Sequence, residues 1–437
     1  MKKWKLAHWI LLGMILGIAI GYACHQYAAD EAAAKAIAAD FGVVTTIFLH
    51  MVKMIIAPLV FATLVSGIAG MDSGKSIGRI GAKALGWFIA ASLVSLGIGL
   101  LFVNIAKPGS SLNLPLPPAD ASTHLQTSAL NAKDFLTHIV PSSMVEAMAS
   151  NQIMQILVFS LFFGIALGKV PGESGVVLKR AVDGLMETML RATNAVMAFA
   201  PLGILSAIAG VVTVQGLGVI VTYGRLIGWF YVALFALWTV LYFAGHAALG
   251  RRMPELIRKI REPMMIAFST ASSEAAFPVL TEKLTEFGVH RRLVGFVLPL
   301  GYSFNLDGSM VYQAFAAIFI AQAFGVHMPI GTQLTMLLIL MISSKGMAAV
   351  PRGSLVVVAA ILPMFHLPEA GLLLVMGIDQ LLDMGRTATN VLGNSIASVV
   401  VAKWEGELSP AGTHEHAPAP PDTSTESAPD YGSVRSS

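Results

Sequence analysis

Hydrophobic positions along this chain fall into long unbroken runs separated by short polar joints. Apolar runs near 7–23, 42–70, 81–106, 152–168, 192–214 and 217–248 are each close to the roughly 20 residues a helix needs to cross a bilayer. They predict six transmembrane helices. After Arg261 the pattern changes. The segment from Pro263 to Leu280 carries Ser269-Thr270-Ala271-Ser272-Ser273-Glu274 at its middle, with Arg258 to Arg261 before it and Lys283, Arg291 and Arg292 after it. A segment that is polar at its centre and basic at both ends is expected to re-enter the membrane and return to the same side. A second such segment, 331–366, has Ser343-Ser344-Lys345-Gly346-Met347 and Pro351 at its centre. Each precedes a long apolar run, 293–325 and 369–402. The chain therefore reads as two hairpin-then-helix units entering from opposite sides, an inverted repeat of the kind that places a transporter's site near the membrane midplane. Non-helical backbone survives at that depth only where protein or a water-filled cavity surrounds it. Two ordinary spans instead would put Glu274 and Lys345 into lipid.

Composition supports a membrane protein and adds an orientation. The 437 residues are 55% hydrophobic and 12% charged, about half the charged fraction of a soluble protein. Lys2, Lys3 and Lys5 precede the first run; Lys75, Arg79 and Lys83 follow the second; Lys169, Lys179 and Arg180 follow the fourth; Arg251, Arg252, Arg258, Lys259 and Arg261 follow the sixth. Every second loop is basic, which predicts cytoplasmic N- and C-termini in a bacterial inner membrane and an external connection around 107–150. The basic N-terminus and first apolar run resemble a signal peptide, but further spans follow at once, so the first helix is expected to be retained. The formal charge of +3 is spread over short loops and gives no reason to expect nucleic acid. The single cysteine, Cys24, excludes an intrachain disulfide or a cysteine metal site. Residues 409–437, rich in Pro, Ser, Thr and Ala, read as a disordered cytoplasmic tail in which His414 and His416 are solvated.

The last apolar run carries the chemistry. Asp379, Asp383, Arg386, Thr387, Asn390 and Asn394 follow one another at spacings of four, three, one, three and four, which aligns them on one helical face. Ionisable groups in a membrane helix are costly and tend to mark a substrate or ion path. A guanidinium holds a carboxylate with two parallel hydrogen bonds, so Arg386 is the candidate anion ligand. Asp383 either accepts a substrate ammonium or simply neutralises Arg386. In the preceding run, Asn305-Leu306-Asp307-Gly308-Ser309 predicts local unwinding that offers carbonyl and carboxylate oxygens to a cation; a kink with Asp307 satisfied by Asn305 is the plainer reading. An aspartyl hydrolase built on Asp307 and Asp383 would need two adjacent carboxylates sharing a proton, which Arg386 would disrupt. No Ser/His or metal-ligand constellation lies in the spans, so no enzyme is expected. Two gate-like hairpins argue against a simple channel.

These motifs resemble the dicarboxylate/amino acid:cation symporter family, which has the glutamate-transporter fold. The similarity covers roughly residues 5–405 and rests on Ser272-Ser273 with Pro278, Asn305-Leu306-Asp307-Gly308, Gly346 to Pro351, and Asp383-Met384-Gly385-Arg386-Thr387 with Asn390. The resemblance implies an all-α fold of eight transmembrane helices and two re-entrant hairpins in a membrane domain covering 1–408. It further implies a homotrimer whose scaffold (about 7–70 and 152–214) holds a transport domain (about 81–106 and 217–402) that slides like an elevator. It would place Arg386 on the substrate side-chain carboxylate and Asp383 on the amino group. Asn390, Ser272, Ser273 and the hairpin tip would lie at the main carboxylate, with Ser309, Val350 and Thr387 nearby. Ser92, Asn305, Asp307, Asn390, Asn394, Gly346 and Met347 would stand at cation positions. No resident cofactor is implied, only co-transported protons or sodium. The chain departs from sodium-driven members at Asn394, where they carry aspartate, and at Phe88 and Ala91, where they offer hydroxyl oxygens. Fewer ligand oxygens favour proton coupling, with Asp307 or Asp383 as carriers. Retention of Asp383 favours glutamate or aspartate as substrate, while Asn394 and the Lys403-Trp404-Glu405-Gly406-Glu407-Leu408 ending resemble the C4-dicarboxylate branch.

Overall fold

The computed structural model describes residues 6–69, 74–111, 140–216, 223–344, 353–376 and 378–409. Among these the chain is helical, apart from one isolated antiparallel bridge between Val289 and Leu408. The helices in chain order are α1 (Leu6–Tyr27), α2 (Glu31–Ala69), α3 (Gly74–Ala106), α4 (Met144–Ala149), α5 (Ile153–Leu167), α6 (Gly172–Met197), α7 (Ala200–Gln215), α8 (Gly224–Leu249), α9 (Met253–Thr270), α10 (Ser273–Phe287), α11 (Arg291–Phe304), α12 (Asp307–Ala323), α13 (Ile330–Ser343), α14 (Gly353–Ile361), α15 (Leu372–Met376) and α16 (Asp379–Glu405). The stretches His8–Tyr27, Glu31–Ala69, Gly78–Ala106 and Gly224–Thr270 are each long and apolar enough to cross a membrane unaided. Helices α6 and α7, bent by 52° at a short break, are together long and apolar enough to cross as well. The shorter apolar helices α5, α13 and α14 add to these in an all-helical, polytopic arrangement.

Several expected spans are interrupted, and each break has a local cause. The run at 192–214 is the end of α6 and all of α7; Pro201 lies in the first turn of α7, where its ring cannot continue the preceding helix. The run at 152–168 is the 15-residue α5, preceded by a turn with Asn151 at φ 49° and by α4, which Ser143 caps. The basic residues Arg258, Lys259 and Arg261 belong to helix α9, not to a loop, and Lys179 and Arg180 belong to α6. The expected loop between the sixth span and the first hairpin is thus a few residues around Gly250–Arg252.

The first hairpin is α9 and α10. Ala271 turns the chain in the left-handed region (φ 48°), and Ser272 accepts a hydrogen bond from the Ala275 amide to start the next helix. The second hairpin is α13 and α14; Gly346, Met347 and Val350 at its tip lie outside the described residues, as does the tail beyond Ser409. The expected helix 293–325 is broken where the sequence predicted, at Asn305 and Leu306, with Asp307 opening α12. The run at 369–402 divides into α15 and α16, so Asp379 begins a helix and does not sit in the middle of one.

Packing separates two groups of helices. The helices α1, α2, α5, α6 and α7 pack mainly on one another, with α2 at their centre; α3, α8 and the chain from α9 to α16 form the second group around α12 and α16. The groups meet where α10 and α11 lie along α2 and where α9 lies along α7. Close approach is built in: a Cβ on Gly295 of α11 would stand 2.5 Å from Thr63 Cγ2 of α2.

At the far end of α16 the chain is clasped by polar contacts. Glu405 bonds Arg79 (2.7 Å) and Lys83 (2.6 Å) of α3, and Glu407 pairs with Arg292 of α11. Arg252 donates to the carbonyls of Ser409 and Phe287, while the Ser409 amide donates to Gly288.

Candidate substrate and cation sites

The polar face of α16 is buried among apolar helices, and three clusters form along it. The first surrounds Arg386, whose side chain is 8% exposed. Its Nε donates to Asp383 Oδ1 (3.0 Å) and its Nη2 lies 2.6 Å from the same oxygen, which also accepts from Thr387 Oγ1 (2.8 Å). The guanidinium carbon stands 4.8 Å above the Tyr312 ring of α12, a cation–π contact. The Tyr312 hydroxyl donates in turn to Asp379 Oδ1 at 2.6 Å. The remaining nitrogen, Nη1, is buried and finds no hydrogen-bond partner among the described residues. A charged donor left unsatisfied in low dielectric is costly. This one has the geometry to receive a carboxylate.

The second cluster joins the break to α16. Asn390 Oδ1 accepts the amides of Gly308 (2.8 Å) and Ser309 (3.4 Å), and its Nδ2 donates to Ser309 Oγ (3.3 Å). These amides are the free donors of the first turn of α12. Gly308 is required here, since a Cβ would lie 2.1 Å from the Arg386 carbonyl oxygen.

In the third cluster Asp307 Oδ2 accepts from Asn305 Nδ2 (3.0 Å), and Ser95 Oγ of α3 is 3.5 Å from Oδ1. Ser92 and Ser95 are both fully buried on α3. Phe88 of the same helix presents its ring to Gly301, so at that level the wall is aromatic. Asn305 Oδ1 and both amide atoms of Asn394 are buried without partners among the described residues. One carboxylate, the free Asn oxygens and the serine hydroxyls are hard ligands that suit a monovalent cation.

The fold thus brings together Asp383, Arg386 and Thr387; Asn390 with Ser309; and Asn305 and Asp307 with Ser95, while Ser92 is buried one turn earlier on α3. Ser272 and Ser273 sit at the tip of the first hairpin, which packs against α16. There the Ser272 hydroxyl is occupied as a cap, and the Ser273 carbonyl accepts from Tyr302. Tyr312 and Ser95 escaped the sequence reading. Ser95 lies one turn after Ser92 on an apolar helix, a spacing that was legible. Tyr312 looks like core until the break swings α12 over Arg386. Among the described residues no cluster of His, Cys, Asp or Glu fit for a metal is found.

Residues 6–404 match the Sodium:dicarboxylate symporter family. Among curated relatives, the C4-dicarboxylate transport protein of Pseudomonas syringae pv. syringae (strain B728a) is 40% identical over 406 residues, 91% of this chain and 87% of that protein. The C4-dicarboxylate transport protein of Pseudomonas fluorescens (strain SBW25) is 39% identical over 405 residues, covering 91% and 89%.

Proposed function

The chain belongs to the Sodium:dicarboxylate symporter family, and from that premise we propose that it imports C4-dicarboxylates such as succinate, fumarate or malate by proton-coupled symport. The observation that carries this reading is the buried guanidinium of Arg386, neutralised on one edge by Asp383 and unsatisfied at Nη1 on the other. One substrate carboxylate completes the fork. The other is received at the first hairpin tip and Asn390, where the N-terminus of α10 favours an anion.

The sequence alone weighed towards glutamate or aspartate because Asp383 is retained. In the fold, Asp383 Oδ1 already takes two arginine nitrogens and the Thr387 hydroxyl, so its charge answers Arg386 and has no need of a substrate ammonium. The names of the relatives point the same way. An acidic amino acid remains the second reading, favoured by the same carboxylate.

Proton coupling rests on the poverty of the cation wall at Phe88, Ala91 and Asn394. Sodium is the alternative, favoured by the unpartnered oxygens of Asn305 and Asn394. The helix group of α3, α8 and α9 to α16 would move as the transport domain against α1, α2 and α5 to α7, in a homotrimer with cytoplasmic termini as the basic loops indicate.

Uptake of labelled succinate into proteoliposomes, under separate proton and sodium gradients, tests this directly. Uptake driven by protons and competed by malate supports the reading. Competition by glutamate and not by malate overturns the substrate assignment, and dependence on sodium alone overturns the coupling.

A further inference from the structure

A diacid held at both ends is measured by its length, so a carrier that selects it must fix the distance between two carboxylate seats. Arg386 on α16 is one seat of the dicarboxylate reading above, and the tip of the first hairpin is the other. They belong to different helices, and the selected length depends on what keeps one in register with the other.

The tip is held mostly by its own chain. Ser272 Oγ accepts the Ala275 amide, while Thr270 Oγ1 donates to the Ile266 carbonyl and accepts the Ser272 amide. Pro278 brings no amide to the carbonyl of Glu274 four residues earlier, so the start of α10 lacks one of its own bonds. Among the described residues, a single hydrogen bond reaches tip residues 270–275 from outside the hairpin. It comes from the Tyr302 hydroxyl of α11, which donates to the Ser273 carbonyl at 2.9 Å. The same side chain meets α10 a second time: its buried ring stands edge-on to that of Phe277, with centroids 5.3 Å apart at 78°.

Tyr302 also stands on a turn that is fixed to α16. Helix α11 ends where the Asn305 amide returns to the Gly301 carbonyl at 2.7 Å. Gly301, with no side chain, lets that turn close on Asn394, and Asn305 bonds Asp307, which lies against Gly393. Successive helical residues are about 100° apart, so Gly301 and Asn305 share the edge towards α16 while Tyr302 points away from it to α10. Asn394 is about two turns beyond Arg386 on the same helix. One turn of α11 thus grips the helix of the first seat through Gly301 and the helix of the second through Tyr302.

We propose that Tyr302 sets the span between the two carboxylate seats, and with it the length of diacid that the carrier accepts. It is a positioning residue: its hydroxyl holds the hairpin tip and does not touch the substrate. Without that hydroxyl the ring still packs on Phe277, but the first turn of α10 is free to shift, and a diacid one methylene longer fits as well as the right one. This inference rests on the dicarboxylate reading.

The test is calorimetric titration of the purified full chain with succinate, glutarate and monomethyl succinate, alongside thermal unfolding. The wild type should prefer succinate to glutarate by about tenfold or more, the scale at which a site discriminates one methylene. Tyr302→Phe should weaken succinate about five- to tenfold, as loss of one neutral hydrogen bond does. It should weaken glutarate far less and leave monomethyl succinate, which has one carboxylate to seat, unchanged. Phe277→Leu, which loosens the ring contact and keeps the hydroxyl, should shift the succinate-to-glutarate ratio the same way by less. Equal weakening of all three ligands overturns the proposal, because Tyr302 would then only support the fold. An unchanged ratio in Tyr302→Phe overturns it too, as does an unchanged ratio in Phe277→Leu should Tyr302→Phe fail to fold. A wild type that does not discriminate between the two lengths also overturns it. A wild type that binds aspartate and not succinate overturns the substrate reading alone. Aspartate, glutamate and asparagine then take the places of the three ligands, and the same ratio decides on Tyr302.

Discussion

Arg386 concentrates the energetics of the site in one side chain. Its guanidinium is stripped of water, neutralised by one oxygen of Asp383, stacked on Tyr312 and left with an open nitrogen. Arg386→Lys keeps the charge and loses the planar fork. It should weaken succinate binding by about 1.5–3 kcal/mol, the worth of a hydrogen bond to a charged group, measured by calorimetric titration of the purified protein. Asp383→Asn tests the partner. Breaking a buried pair costs about 3–5 kcal/mol because the other charge is left alone, so the variant should melt at a lower temperature in detergent and bind succinate poorly. An unchanged melting temperature with selective loss of amino-acid binding would return Asp383 to the role of ammonium ligand.

At the scale of elements, the site depends on a helix that stops for two residues. The break at Asn305 and Leu306 frees the amides of Gly308 and Ser309 for Asn390 and turns Asp307 towards Asn305 and Ser95. Glycines permit the contact: Gly308 against the Arg386 carbonyl, Gly301 against Asn394, and Gly393 against Asp307. A methyl group on Gly308 would meet backbone, which cannot rotate away. Gly308→Ala should therefore cost about 1–3 kcal/mol through overpacking and abolish uptake. Gly97→Ala on α3, where nothing lies within 4 Å, should leave both unchanged. Thermal unfolding and succinate uptake on the two variants check the contrast.

At the scale of the molecule, the surface between α2 and the hairpin group decides whether transport is a sliding motion. Thr63 and Gly295 face each other across it, close enough for a disulfide, which needs Cβ atoms about 3.5–4.5 Å apart. Thr63→Cys paired with Gly295→Cys, with Cys24 replaced by serine, should lose uptake on oxidation and recover it on reduction. Full uptake by the oxidised, cross-linked protein would show that these helices stay together during transport, and the two-body reading would fall. The clasp of Glu405 and Glu407 ties the end of α16 to α3 and α11, and its Arg292 packs against Gly67 of α2.

Much of this architecture was legible in the sequence because lipid imposes a simple code. Spans must be apolar and about 20 residues long, so α1, α2, α3 and α8 stand out, and polar centres such as Ser269 to Glu274 betray a hairpin. The helical period put Asp383, Arg386, Thr387 and Asn390 on one face before any coordinates. Tertiary structure decided what each group spends its bonds on. Asp383 proved to be the counter-charge of Arg386, Asn390 the tie to the amides of α12, and Tyr312 the platform under the guanidinium, because those partners come from helices far apart in the chain. Periodicity records which face a residue occupies. It cannot record which neighbour arrives there, because that depends on where Gly308, Gly301 and Gly393 let two backbones meet.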